Sequence, residues 1–174
     1  GAKVIGLSDR VPTEPAHYNL IKENLENDLR INVKDAESIF SIINEIQPSF
    51  LFHLAAQPLV LESYKEPFKT FQTNIMGTIN LLEAIKTIND NIPSIIITTD
   101  KVYSNKTYKK HNEDDLLEGI DPYSASKVCA ENISKSYSNL GLKIITARAA
   151  NIIGGGDWSK DRLIPDIIKS IKRR

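Results

Sequence analysis

Apolar positions along this chain fall into two rhythms that alternate. Short unbroken runs occur at 3–7 (KVIGL), 49–56 (SFLFHLAA), 94–99 (SIIITT) and 142–150 (LKIITARAA), each bounded by polar or turn residues. Such runs predict buried strands, because a strand covered on both faces needs no polar alternation. The segments between them repeat at helical spacing. Asp35 precedes AESIFSIINEI, where Ile39, Ile42, Ile43 and Ile46 share one face and Pro48 ends the pattern. A carboxylate in that position caps the free amides of a helix start. The longest helical pattern covers 67–88, with Phe68, Phe71, Ile75, Ile79, Leu82 and Ile85 in phase. PYSASKVCAENISKSYSNLG (122–141) predicts a helix closed by Gly141, a residue that takes the left-handed conformation freely. A short helix in HYNLIKENLEN (17–27), after the polar loop SDRVPTEP, and a last helical pattern in IPDIIKSIKRR (164–174) complete the set.

Strand, helix, strand, helix predicts a parallel sheet with right-handed crossovers, an α/β fold. In such sheets ligands bind beyond the carboxyl ends of the strands. That rule points to three loops rich in small or polar residues: HLAAQP, TTDKVY and AANIIGGGDW. At 174 residues the chain has the size of a single domain, and 41% hydrophobic content supplies a core. Twenty-two basic residues balance 22 acidic ones, which argues against a nucleic-acid footprint. No apolar run reaches membrane-spanning length, and the single cysteine, Cys129, excludes an internal disulfide and suits a reducing cytoplasm. The first residues enter a strand at once and the last stop inside a helical pattern, so a piece of a longer chain is expected.

Candidate chemistry centres on Tyr123 and Lys127, spaced i and i+4 and hence on one helical face. A free tyrosine titrates near 10, too high for a base at neutral pH, and a neighbouring ammonium favours the phenolate. The pair is therefore a plausible base for a hydroxyl proton, although the same spacing also arises on ordinary surface helices. Thr99 ends the preceding strand and offers a hydroxyl; Asp100 and Lys101 follow it directly. His53, on an apolar strand, reads as a core histidine, and no His/Cys/Asp/Glu spacing suggests a metal site.

Five motifs appear in order: HLAAQ (53–57), TNIMGTINLLEA (73–84), TTDKVY (98–103), PYSASK (122–127) and RAANIIGGGDW (148–158). In these the chain resembles the extended short-chain dehydrogenase/reductases that act on nucleotide sugars, over most of its length. HLAAQPLV, the Asp-Lys pair in TTDKVYSN and GGGDWSKDRLIPDII resemble the 4,6-dehydratases within that family, and the branch acting on CDP-glucose in particular. Many relatives carry Asp-Glu where this chain has Asp100-Lys101, and simple epimerases lack the acid.

The resemblance implies a Rossmann-like, doubly wound parallel sheet flanked by helices, NAD as cofactor and a nucleotide-sugar substrate. It implies that Tyr123, with Lys127 and Thr99, takes the 4-hydroxyl proton. Asp100 would be the acid for the departing 6-hydroxyl, needing a raised pKa, and Lys101 the base at carbon 5, needing a lowered one. Asp28 and Leu29 would lie along the adenine, and Leu54, Ala55, Ala56, Gln57 and Thr73 along the dinucleotide, with Tyr123 and Lys127 also meeting the cofactor. For residues 54–56, close strand–helix packing is the other reading, and both can be true. Asn151 would meet the substrate unless it is a turn asparagine. Arg162 would clamp a diphosphate or pair with Asp161 or Asp166, and Trp158 would pack on the base or anchor its loop. A homodimer through four helices, two from each copy, is also implied.

Residues 1–174 are expected to form one partial Rossmann-type domain, with 151–174 opening the substrate-binding region. The resemblance begins at the family's second strand. Its first strand–helix unit, with the glycine-rich turn that cradles a pyrophosphate, and most of its C-terminal substrate domain are expected to lie outside this chain. Weak NAD affinity and little turnover are expected of the chain by itself. Two other readings stay open: an epimerase or reductase on a related sugar, and a non-catalytic fragment.

Overall fold

The computed structural model describes residues 1–89, 91–104 and 110–172. It divides into two units, one formed by residues 33–150 and the other by 1–32 together with 151–174.

The 33–150 unit opens with Asp35, whose carboxylate accepts from the Ser38 amide at 3.1 Å and starts helix α2, Ala36–Ile46. Ile39 and Ile43 of α2 are buried, and Gln47 closes the helix in the left-handed conformation before Pro48. Three parallel strands follow in the order β3 (Leu51–His53), β4 (Ser94–Thr99) and β5 (Ile144–Ala149). Here β1 and β2 are reserved for two strands of the other unit, Ile5–Ser8 and Asn27–Arg30. The register sets His53 beside Ile96, and Thr98 and Thr99 beside Arg148 and Ala149. Helix α6, Pro122–Asn139, lies against β4 and β5, and Gly141 follows it at φ 107°. Its N-terminus carries a capping box in which Asp121 and Ser124 satisfy each other's backbone amides.

The long helical pattern is one helical run with a change of phase inside it. Helix α4 (Pro67–Phe71) passes through a π-turn (Gln72–Met76) into α5 (Gly77–Ile88). A π-turn inserts one extra residue and rotates everything beyond it. The expected apolar stripe therefore breaks. Leu82 and Ile85 are fully buried, but Phe68 is 73% exposed, and Thr70, Asn74 and Thr78 occupy the buried face instead. Gly77 lets α5 approach the α2 side closely, since a Cβ there would lie 2.6 Å from Val33 Cγ1.

The sequence pattern also missed a six-residue helix, α3 (Val60–Lys65), which packs against α4 and α6.

In the other unit, β1 and β2 pair in parallel, Ile5 beside Asn27 and Ser8 beside Arg30. Strand β1 begins two residues later than the apolar run implies, and β2 was not foreseen, because its sequence NDLR carries no apolar signal. Helix α1 (Tyr18–Ile21) continues into a 3₁₀ turn (Lys22–Asn24). Residues 151–162 form the glycine-bearing loop, and helix α7 (Leu163–Lys172) follows. The loop is drawn to the start of the chain at Gly156, whose φ of 79° and missing side chain leave room for His17.

Candidate active site

The carboxyl end of β4 places the chemistry. Side chains alternate along a strand, so the consecutive threonines Thr98 and Thr99 face opposite ways. The Thr98 hydroxyl donates to Glu131 Oε1 at 2.7 Å, inside the protein. The Thr99 hydroxyl instead caps the 3₁₀ turn Asp100–Val102, accepting from the Lys101 amide at 3.3 Å and donating to Asp100 Oδ1 at 3.2 Å. The turn thus starts on a buried hydroxyl and carries its two charged side chains outward. Lys101 Nζ and Asp100 Oδ1 lie 3.5 Å apart, and each side chain is between a third and a half exposed.

Helix α6 packs against this turn as well as against the sheet. It contributes Tyr123 and Lys127 one helical turn apart, both buried. Burial depresses the Lys127 ammonium to about 8. Its Nζ donates to the Ile97 carbonyl at 3.0 Å, and no carboxylate among the described residues pairs with it. A buried ammonium whose protein partner is a neutral carbonyl suits a hydroxyl-rich ligand, and the ribose of a dinucleotide supplies such hydroxyls.

His53 ends β3 and its Nε2 lies 3.1 Å from Thr78 Oγ1. Burial, with the nearby Lys127 charge adding to it, pushes the imidazole down to about 4. It is a hydrogen-bonded core histidine at neutral pH, as its apolar strand suggests.

The loop after β3 is held from inside. Asn74 Oδ1 accepts from the Gln57 amide at 2.8 Å, while its Nδ2 donates to the Gln57 carbonyl at 3.1 Å and to Ser126 Oγ at 2.8 Å. Asn74 reaches this loop from the π-turn, an element that recurs at functional sites. The Gln57 carboxamide is also engaged, with Thr70 Oγ1 and with the Leu59 backbone. Ala55 and Ala56 are half-buried, and Leu54 projects outward, 68% exposed. Small side chains on a loop fixed at its base leave backbone open to a flat ligand. Thr73 is half-buried beside Asn74, and it is Asn74 whose side chain grips the loop.

The remaining candidates belong to the unit of 1–32 and 151–174. Asp28 accepts from Tyr18 OH at 2.6 Å and pairs with Arg30, whose guanidinium also lies over the Tyr18 ring. Leu29 is half-buried on the same strand, and Asn151 is exposed. Arg162 is half-buried; Asp166 pairs with Lys169 at 3.5 Å, and neither Asp161 nor Asp166 forms an ion pair with Arg162. Trp158 packs under the Lys172 ammonium, 4.9 Å from the ring centre. Among the described residues there is no cluster of three potential metal ligands and no helix long and apolar enough to cross a membrane.

A family model described as GDP-mannose 4,6 dehydratase matches residues 2–174. The chain belongs to this dehydratase family of short-chain dehydrogenase/reductases. It is 40% identical to CDP-glucose 4,6-dehydratase of Salmonella typhimurium, over 99% of this chain and 51% of that protein. It is 33% identical to dTDP-D-glucose 4,6-dehydratase of Dictyostelium discoideum, over 79% of this chain and 34% of that protein. Among solved structures, a DesIV double mutant from Streptomyces venezuelae superposes with a TM-score of 0.88 at 21% identity, over 98% of this chain and 53% of its own. That likeness shows the shared fold: parallel strands flanked by helices. The chain spans about half the length of the Salmonella relative.

Two participants escaped the sequence reading. Asn74 was passed over for its neighbour Thr73, because its pairing with the 54–57 loop is a tertiary contact. Glu131 was not singled out, although its spacing of four from Lys127 and eight from Tyr123 places it on the same helical face.

Proposed function

We propose that the protein carrying this chain converts CDP-glucose to CDP-4-keto-6-deoxyglucose and water, with NAD as a cofactor that is regenerated in each turnover. The observation that carries this reading is the Asp100–Lys101 pair on a capped turn beside the helix bearing Tyr123 and Lys127. An epimerase or reductase needs no second acid and base.

NAD would be held by Lys127 and the backbone of the 54–57 loop, and would supply a reversible hydride acceptor for the sugar. Tyr123 takes the 4-hydroxyl proton, with the Lys127 ammonium on the same helical face favouring the phenolate. Lys127 also offers its hydrogens to the cofactor's ribose. Once carbon 4 is a ketone, the hydrogen on carbon 5 is acidified and Lys101 removes it. Asp100 protonates the 6-oxygen as its bond to carbon 6 breaks, and water leaves. Lys101 then returns the proton to carbon 5. Tyr123 has gained a proton and Asp100 has lost one, and solvent restores both, so the net change is loss of one water.

On this reading Leu54, Ala55, Ala56 and Gln57 meet the dinucleotide mainly through backbone, since the Gln57 side chain is already engaged. Asp28 and Leu29 meet the adenine, and Asn151 and Arg162 meet the sugar diphosphate. A second copy docks through the helices of 67–88 and 122–141.

The test is incubation of the whole protein with CDP-glucose, scored by NMR for the 4-keto-6-deoxy sugar. Lys101→Ala and Asp100→Asn should each lower turnover about 100-fold or more, the usual loss for a proton-transfer group. No keto product from CDP-glucose would refute the substrate assignment, and full activity in both variants would refute the roles given to the pair.

A further inference from the structure

One buried side chain that the proposed chemistry does not use connects both ends of the acid–base turn. Glu131 lies on α6 two helical turns beyond Tyr123 and is buried. Its Oε1 accepts from Thr98 Oγ1 at 2.7 Å and from Arg148 Nε at 2.8 Å, and its Oε2 accepts from Arg148 Nη2 at 2.8 Å. The two-pronged Arg148–Glu131 pair fixes the guanidinium plane as a single ammonium contact does not. The third edge of that guanidinium reaches outward. Arg148 Nη1 donates to Tyr103 OH at 2.9 Å and to the Glu113 carbonyl at 3.0 Å.

Thr98 is the residue before Thr99, and Tyr103 is the residue after the turn. The Tyr103 amide closes the turn by donating to the Asp100 carbonyl at 3.2 Å. The Tyr103 ring is held further by the stacked His111 ring, centroids 4.5 Å apart, and by the guanidinium 4.9 Å from its centre. The turn's last carbonyl, at Val102, accepts from the Glu118 amide at 2.7 Å. One carboxylate on α6 therefore ties residue 98 directly and residue 103 through Arg148. The same helix presents Tyr123 and Lys127.

We propose that Glu131, Arg148 and Tyr103 form a positioning bracket that sets the distance between the oxidising pair, Tyr123 and Lys127, and the eliminating pair, Asp100 and Lys101. None of the three touches the sugar; they act through the turn. This rests on the dehydration reading above, because only a two-stage reaction at neighbouring carbons needs the two pairs held in one register. Displacing the far end of the turn at Tyr103 slows elimination, while oxidation of carbon 4, which rests on Tyr123 and Lys127 of α6 and on Thr99 at the end of β4, continues.

Two variants test the bracket. Tyr103→Phe removes one hydroxyl and keeps the ring stack; Arg148→Lys keeps the charge and removes the fork. In hydrogen–deuterium exchange, the amides of Lys101 and Tyr103 should exchange about tenfold faster in each variant, with the amides of β4 and α6 unchanged in Tyr103→Phe. With CDP-glucose, the whole protein should form keto product about tenfold more slowly while reduced cofactor accumulates, because carbon 4 is still oxidised. Unchanged exchange at 101 and 103, or oxidation and elimination falling in equal proportion, would overturn the proposal. If the unaltered protein makes no keto product, the dehydration reading fails, and exchange at 101 and 103 alone decides whether the bracket holds the turn.

Discussion

At the scale of single residues, Lys127 shows what the site costs the fold. Its ammonium titrates at about 8 in the folded chain against an ordinary 10.5, because burial penalises the charge. Between those values the unfolded chain binds more protons than the folded one. Stability therefore climbs as pH rises from about 8 toward 10.5, and below that window the buried charge costs about 3 kcal/mol. Lys127→Met, similar in length and uncharged, should raise stability by ~1–3 kcal/mol at pH 7 and flatten the climb. Urea unfolding at pH 7 and pH 10 measures both; a variant no more stable than the parent at pH 7 contradicts the account. Tyr123 and Lys127 stand out by an i, i+4 spacing that is a local signal, whereas Thr99, Asp100 and Lys101 are singled out through the family resemblance of TTDKVY. Asn74, Glu131 and Arg148 work through partners 17 to 52 residues away, and nothing in their own surroundings along the chain announces that.

At the scale of elements, the apolar pattern found strands β1, β3, β4 and β5 and helices α2, α6 and α7, each with a strong rhythm or a clear stop. It missed β2 and α3 for opposite reasons. NDLR is too polar to read as a strand, and VLESYK is too short for a helical period to show. It placed the 67–88 helix correctly but put the wrong side inward at the start, since no periodic template allows for the extra residue at Gln72–Met76. The same helix yields a test at Gly77. Alanine favours a helix by about 1 kcal/mol over glycine, but its Cβ would meet Val33 Cγ1 at 2.6 Å and Cγ2 at 3.1 Å. Overpacking of this kind costs about 1–3 kcal/mol, so Gly77→Ala should be net destabilising. Val33→Ala in the same chain should recover part of the loss, and a double-mutant cycle by chemical denaturation measures the coupling. Additive effects would show that the α2 side gives way freely.

At the scale of the whole molecule, the 33–150 unit carries exposed apolar side chains on α3 and α4. Leu61, Tyr64 and Phe68 on α3 and α4 are 54%, 63% and 73% exposed. Runs of large exposed apolar side chains mark contact surfaces. If a second copy covers them, Phe68→Glu should convert the whole protein from dimer to monomer in light scattering after size exclusion, with the helical content of each copy unchanged. A dimer that survives the charge would exclude this face. The division into units has another consequence, for the order in which the molecule is made. Residues 33–150 form a continuous stretch, whereas the other unit joins the first 32 residues to those from 151 onward. As the polypeptide leaves the ribosome, the inner stretch can complete itself as soon as its own last strand emerges. The contact between His17 and the segment bearing Gly156 can form only after the whole of 33–150 has been synthesised.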